Sequence, residues 1–321
     1  MTTTLPSDVQ QVFDRFITTE YTTVDAAGQP ITWPVTPYYR PGDPCIDITT
    51  GLGYPKKAED ARANPHAALL FSDPNGSGLE RAPAVLVQGT AIVDDADLAA
   101  NRERYARESV EKLPATKDMH PPAFVQRFLA WYYTRIYVHV RPERVFVWPE
   151  GDFSSEPQLF GTHMEEVRST HVEEPEVPRA GTIGGGTPWD ERLRELGRRY
   201  ETAVLSVVAP DGFPMSARVP VEPDEAAGRI RLKDVPVGLP FAPGLACLTA
   251  HEHEPSFKWQ VNFQVRGNLL PDGGGGWMLV PRKLIGGFEL PPGSQLEGLR
   301  LNARKMMRFR RIAKQQLKRR A

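Results

Sequence analysis

Four short patterns occur twice in this chain, in the same order, and that repetition limits its architecture more than any other feature. A turn glycine, a proline two residues on and then an extended segment appear at Gly28-Gln29-Pro30-Ile31 and again at Gly212-Phe213-Pro214-Met215. Asn64-Pro65-His66-Ala67-Ala68-Leu69-Leu70 is echoed by Ala242-Pro243-Gly244-Leu245-Ala246-Cys247-Leu248. Val87-Gln88-Gly89-Thr90-Ala91 is echoed by Val265-Arg266-Gly267-Asn268-Leu269, and Val140-Arg141-Pro142-Glu143-Arg144 by Leu279-Val280-Pro281-Arg282-Lys283. The separation is nearly constant through the first three pairs. It shortens in the last because Asp97 to Trp131 has no counterpart. A chain of 321 residues also lies at the size where one core gives way to two.

Short apolar or alternating runs predict strands over Thr19–Val24, Ile31–Tyr39, Cys45–Thr50, His66–Ser72, Ala84–Val93, Arg135–Val140 and Arg144–Trp148. The 27 glycines and 31 prolines punctuate them as turns rather than as disorder. Ser7 and Gln10 predict a capping box for a helix to about Ile17. Further helices are expected over Lys57–Asn64, over Asp97–Glu111, and over Pro122–Trp131 with Phe124, Phe128 and Trp131 on one face. Another is expected from an N-cap at Thr187 with Pro188 in first position to about Tyr200. Gly151–Pro178 is acidic and weakly patterned, as a linker is. Strand-and-turn texture returns over Thr202–Leu290, with Gly273–Gly276 as a hairpin tip. The fold class expected is mainly β with α insertions: two tandem barrels, whose closure removes exposed strand edges, and a basic C-terminal tail. The divisions are 1–150, a linker at 151–186, a second unit at 187–295 and the tail at 296–321.

The net charge is −1, from 39 basic and 40 acidic residues. Ten of the basic residues, and no acid, fall between Arg300 and Ala321, so the rest of the chain is acidic. Such a tail reads in two ways: as a contact for nucleic acid or an anionic lipid surface, or as a helix docked on the acidic body. Cys45 and Cys247 form no CxxC pair or disulfide framework, which fits a reducing cytoplasm. No signal peptide is expected at the N-terminus, and no apolar run approaches the roughly 20 residues needed to span a bilayer. His251-Glu252-His253-Glu254 puts two histidines on one side of a strand. They read as a polar strand end or as ligands to a metal or heme, although His163 and His171, in the linker, do not complete a set. Gly184-Gly185-Gly186 and Gly273–Gly276 lack the Lys-Ser or Lys-Thr of a phosphate loop, and no Ser-His-Asp pattern appears.

The first unit resembles the flavin-binding split-barrel family typified by pyridoxamine 5′-phosphate oxidase. Three features carry the resemblance: Gly28-Gln29-Pro30-Ile31-Thr32-Trp33-Pro34-Val35; Ile48-Thr49-Thr50 followed by Lys57 and Asn64-Pro65; and Val87-Gln88-Gly89 with Val140-Arg141-Pro142-Glu143-Arg144-Val145-Phe146-Val147-Trp148. It covers about residues 10–150 well and 190–290 loosely. What it implies is a tandem split β-barrel, a pseudo-dimer, carrying FMN at the junction of its barrels. Lys57, with Lys56 as a neighbour able to substitute, and Thr49 and Thr50 would hold the cofactor phosphate at a helix N-terminus, where anions are favoured. Trp33, Pro34, Val35 and Thr36 would lie beside the isoalloxazine ring. Read from the residues alone, Lys57 is equally a solvated helix start and Trp33 equally barrel core. The second unit departs from the pattern, with Val235 where Lys57 stands, Arg218 where Pro34 stands and Lys233 out of register. The implied activity is FMN-dependent oxidoreduction of a small molecule, with no catalytic residue assigned and no metal. An Arg-, Ala- and Pro-rich composition, as in high-GC genomes, brings in a deazaflavin coenzyme as the alternative. A non-catalytic flavin or heme carrier is a further one. Pairing of two chains as a homodimer is left open.

Overall fold

The computed structural model describes residues 5–119, 129–161, 189–236, 239–287 and 295–320. Its first part comprises α1 (Ser7–Arg15), β1 (Thr19–Val24), β2 (Pro30–Val35), β3 (Ile46–Gly51), α2 (Lys56–Ala63), β4 (His66–Phe71), β5 (Ala84–Asp94), α3 (Leu98–Lys112), α4 (Ala130–Tyr133), β6 (Arg135–Trp148) and β7 (Gln158–Gly161). The second comprises α5 (Glu191–Glu195), β8 (Thr202–Val208), β9 (Pro214–Asp224), β10 (Arg229–Leu232), β11 (Gly244–His253), β12 (Gln260–Pro271), β13 (Trp277–Gly286) and the long α6 (Gln295–Arg320).

The first sheet runs β2-β1-β4-β5-β6-β3, with β7 added beside β6; the second is a closed barrel in the order β10-β13-β12-β11-β8-β9. Read from their first hairpins, both follow one path of connections, all antiparallel. The register agrees in detail. In each unit the ladder slips at a glycine, between Gln88 and Gly89 and between Arg266 and Gly267, opposite Pro142 and Pro281 respectively. A Cβ on Gly89 would lie 2.1 Å from the Arg141 carbonyl oxygen, and one on Gly267 2.2 Å from that of Val280. No side chain fits such a bulge. The turn glycines Gly28 and Gly212 have φ of +75° and +84°, where a side chain is strained.

β1, β4 from Ala67 on and the first half of β5 are buried throughout, because both faces are covered. On β4, Ala67, Leu69 and Phe71 pack into the core of the first sheet with Phe13, Ile48 and Val87. Ala68 and Leu70 point the other way, into a core shared with Leu205, Val219 and Leu248. Continuous apolar runs are what two-sided burial demands. At the seam the two first hairpins meet through four buried hydroxyls. Thr22 contacts Thr32 at 3.0 Å and Ser216 at 3.1 Å, and Ser206 contacts Ser216 at 2.8 Å and receives a bond from Thr32 at 2.7 Å. Thr22 relates to Ser216 as Ser206 does to Thr32, the reciprocal pattern of an isologous contact.

Several local expectations are corrected. Ser7 is not a capping residue: Pro6 holds the N-cap without a side-chain bond, and Gln10 donates instead to the Leu5 carbonyl. The two strands expected on either side of Arg141-Pro142-Glu143 are one strand, β6, because the bulge absorbs the proline. The helix expected to reach Tyr200 stops at Glu195, and Asp190 caps it; Thr187 and Pro188 lie outside the described residues. So do Phe124, Phe128, His163, His171 and the linker beyond Gly161. The part of the linker that is described contains a strand, β7.

Candidate functional site

A cavity of about 600 Å³ opens between the first sheet, the second barrel and α6, within the usual range of small-molecule sites, roughly 300–1,000 Å³. Its first wall is the end of β2 and the residue after it: Trp33, Pro34, Val35 and Thr36. These residues emerge from burial as the strand leaves the hairpin seam. Thr49 on β3, then Tyr54, Lys56 and Lys57 at the start of α2, form the second. Seven of the eight residues singled out from the sequence thus face one space. Thr50 does not. It is fully buried, and its hydroxyl donates to the Tyr54 carbonyl at 2.8 Å. That bond fixes the turn that presents Tyr54.

Lys56 is engaged, donating to Asp60 one turn on at 2.7 Å. Lys57 is half-buried and its Nζ lies 5.5 Å from the centre of the Tyr54 ring. No carboxylate pairs with it among the described residues. Burial pushes its pKa down to about 8, and the nearby Arg135 guanidinium adds to the shift. This ammonium is therefore poorly compensated in the free protein.

Three contributions to the cavity were not evident in the sequence. Arg135, at the start of β6, is 5% exposed. Its guanidinium carbon lies 4.1 Å from the ring centres of both Tyr105 and Tyr132, and it donates to the hydroxyls of Tyr54 at 2.8 Å and Tyr105 at 2.7 Å. A charge opening a strand as apolar as Ile136–Val140 was the available signal. The second barrel supplies Phe257, Gln260, Asn262 and residues 285–287. The tail supplies Lys305, Arg308, Phe309 and Ile312. Phe309 packs 5.3 Å from Tyr54 and 5.5 Å from Trp131, and so closely over Gly53 that a Cβ there would sit 2.8 Å from its own. Gln316 donates to Glu59, Arg320 to Asp95, and Lys305 to the Gly287 carbonyl. The tail is thus a helix docked on the acidic body. Phe309, Ala313 and Gln316 at helical spacing were its signal.

The paired histidines of β11 lie elsewhere, in the seam. His251 is 2.6 Å from Glu20 and 3.1 Å from Arg218, and His253 is 3.2 Å from Thr18. Arg218 also binds Glu20 and Ser72, and Lys233 pairs with Glu222. Arg218, which stands where Pro34 does in the first unit, is thus engaged in the seam, and Lys233, out of register with Lys57, is held in a surface ion pair. No group of three or more His, Cys, Asp or Glu side chains is placed to hold a metal among the described residues. No helix among them is long and apolar enough to cross a membrane.

No family model matches the sequence, and no curated protein matches it. Solved structures similar to the chain include a putative pyridoxamine 5′-phosphate oxidase from Listeria innocua, 15% identical, over 43% of this chain and 94% of that one, at a TM-score of 0.31. An F420 reductase is 19% identical over 44% of this chain and 98% of its own, at 0.33. A protein related to general stress protein 26, described as of the pyridoxinephosphate oxidase family, from Clostridium acetobutylicum, is 11% identical over 48% and 92%, at 0.34.

Proposed function

We propose that the chain is a flavin-dependent oxidoreductase built from two duplicated split barrels, acting on a small molecule in the cavity between them. One observation carries the reading. A single aromatic-lined space collects Trp33, Tyr54 and Phe309 with Lys57, Arg135 and Arg308, and Glu59 is the one carboxylate among its lining residues. A flat ring with an anionic tail fits such a wall chemically, by stacking and by charge.

In this reading Lys57 and the Thr49 hydroxyl hold the phosphate of FMN at the start of α2, with Lys56 beside them. Trp33, Pro34, Val35 and Thr36 flank the ring. When bound, the flavin supplies the redox chemistry. The chain's own residues bind, orient and exclude water: the second barrel and α6 cover the ring, and Lys57 matches the phosphate charge. The units proposed are 1–150, 151–186, 187–295 and 296–321. Their identical strand order and matched bulges support duplication, and the loss of the lysine from the second supports one cofactor per chain. A reducing compartment suits the two free cysteines.

The visible spectrum of the purified, cofactor-reconstituted chain tests this. The two-banded spectrum of an oxidised flavin is expected. A single deazaflavin band would move the reading to a deazaflavin-dependent reductase, and a Soret band to heme. A chain that takes up none of them would refute it.

A further inference from the structure

We propose that Arg135, held between Tyr105 and Tyr132, is a binding subsite for a flat conjugated anion, separate from the phosphate position assigned to Lys57. An arginine removed from water is costly to leave without a counter-charge. Arg135 is 5% exposed, yet no carboxylate pairs with it among the described residues, and its buried Nε has no hydrogen-bond partner. What surrounds it instead is tyrosine, with ring centres 4.1 Å away for both Tyr105 and Tyr132.

The geometry limits what can approach. The rings of Tyr105 and Tyr132 are inclined at 75° with centres 6.5 Å apart, so the guanidinium sits in the corner they form and lines the cavity there; a planar oxyanion suits the N–H groups of such a cation. Arg135 donates to the hydroxyl oxygens of Tyr54 and Tyr105, so the hydroxyl hydrogens of these tyrosines point away from it. Tyr105 directs its own toward Tyr132 at 3.4 Å. Tyr54 gives its proton to no acceptor among the described residues. Burial pushes its pKa up to about 12, against the opposing charge of Arg135, so it stays a donor. A cation and a phenolic donor therefore sit together in an aromatic wall. A conjugated carboxylate or oxyanion satisfies both groups and stacks on the rings.

Two ligands present conjugated oxygens to such a site: a conjugated carboxylate substrate, which is anionic, and the pyrimidine edge of a flavin ring, whose carbonyls are neutral acceptors in the oxidised state and gain negative charge on reduction. The second depends on the flavin reading; the first does not. The test uses the full chain with benzoate and its neutral isostere benzamide, read by thermal shift without flavin, and with riboflavin, read by fluorescence quenching. Benzoate is expected to stabilise the protein and benzamide not to. Arg135→Gln should weaken benzoate at least about tenfold, as for a lost charge-assisted bond, and by clearly more than Lys57→Ala does. Arg135→Lys keeps the charge and loses the fork, and should weaken benzoate by a smaller factor. It keeps the test decisive if the glutamine variant does not fold. Riboflavin affinity unchanged in the Arg135 variants assigns the subsite to a substrate. A parallel loss assigns it to the ring. If the Arg135 variants change neither ligand, or if benzamide binds as well as benzoate, the subsite is overturned. If the wild type binds benzoate but no flavin, the flavin reading fails and the subsite stands.

Discussion

Lys57 has no carboxylate partner among the described residues, and its protonation gives two effects of opposite sign. Its pKa falls from 10.5 to about 8 on burial. Between those values the unfolded chain binds more protons than the folded one, so stability should rise with pH across that interval. Denaturant titrations on either side of it check this, and Lys57→Met should flatten the rise. Phosphate binding runs the other way. FMN affinity should fall as pH rises beyond about 8, and because a bound phosphate favours the ammonium, the midpoint in the complex should lie higher. At this scale the sequence was legible where residue type and spacing carry chemistry, as at Trp33 to Thr36, Thr49 and Lys57. It was not at Arg135, Tyr105 and Tyr132. These residues come from β6, α3 and α4, and chain folding, not spacing, brings them together. Thr50 shows the converse: beside Thr49 in sequence, it points inward because alternate residues of a strand face opposite sides.

The elements most exposed to substitution are the bulges. Gly89→Ala and Gly267→Ala each push a Cβ into a carbonyl oxygen about 2 Å away. Each should destabilise the protein by about 1–3 kcal/mol, the cost of forced overpacking, as measured by equilibrium denaturation. The glycines were visible in the sequence as echoes, and so was the existence of β1 to β6; the strands of the second barrel were visible only as strand-and-turn texture, and β7 falls where a linker was expected. Element ends were less so. A bulge lets β6 run through Pro142, and no spacing rule reveals that the ladder will slip there. The tail is the other case. Its ten basic residues dominate the sequence, but Phe309, Ala313 and Gln316 decide where it lies. Phe309→Ala should loosen that contact, so that amide exchange over residues 295–320 quickens while the β-strands keep their protection.

Across the whole molecule the two sheets are joined by a buried polar seam. Glu20 is 1% exposed and accepts from His251 at 2.6 Å, Arg218 at 2.8 Å and Ser72 at 2.9 Å. Burial alone would raise its pKa, but the bond and charge of His251, with the charge of Arg218, outweigh burial and pull it below the usual 4.5. The stability this acid contributes is present above pH about 4.5 and is lost as pH falls through the lowered folded-state value. Glu20→Ala, which leaves the partly buried Arg218 without its carboxylate, should cost up to about 3 kcal/mol, the low end for breaking a buried pair, and remove that part of the acid dependence, as denaturation at several pH values would show. This seam also explains the paired histidines of β11: what reads in sequence as a polar strand end or a ligand pair is one side of the joint between the two sheets.

In the proposed function the cavity at this joint holds a flavin by its phosphate at Lys57. The most direct test compares the dissociation constants of FMN and riboflavin for the full chain and for Lys57→Ala. FMN should bind the wild type more tightly than riboflavin by about 1.5–3 kcal/mol, the worth of a charge-assisted contact. The substitution should erase that difference while leaving riboflavin unchanged. Equal affinities in the wild type, or a preference for FMN that survives the loss of Lys57, would contradict it.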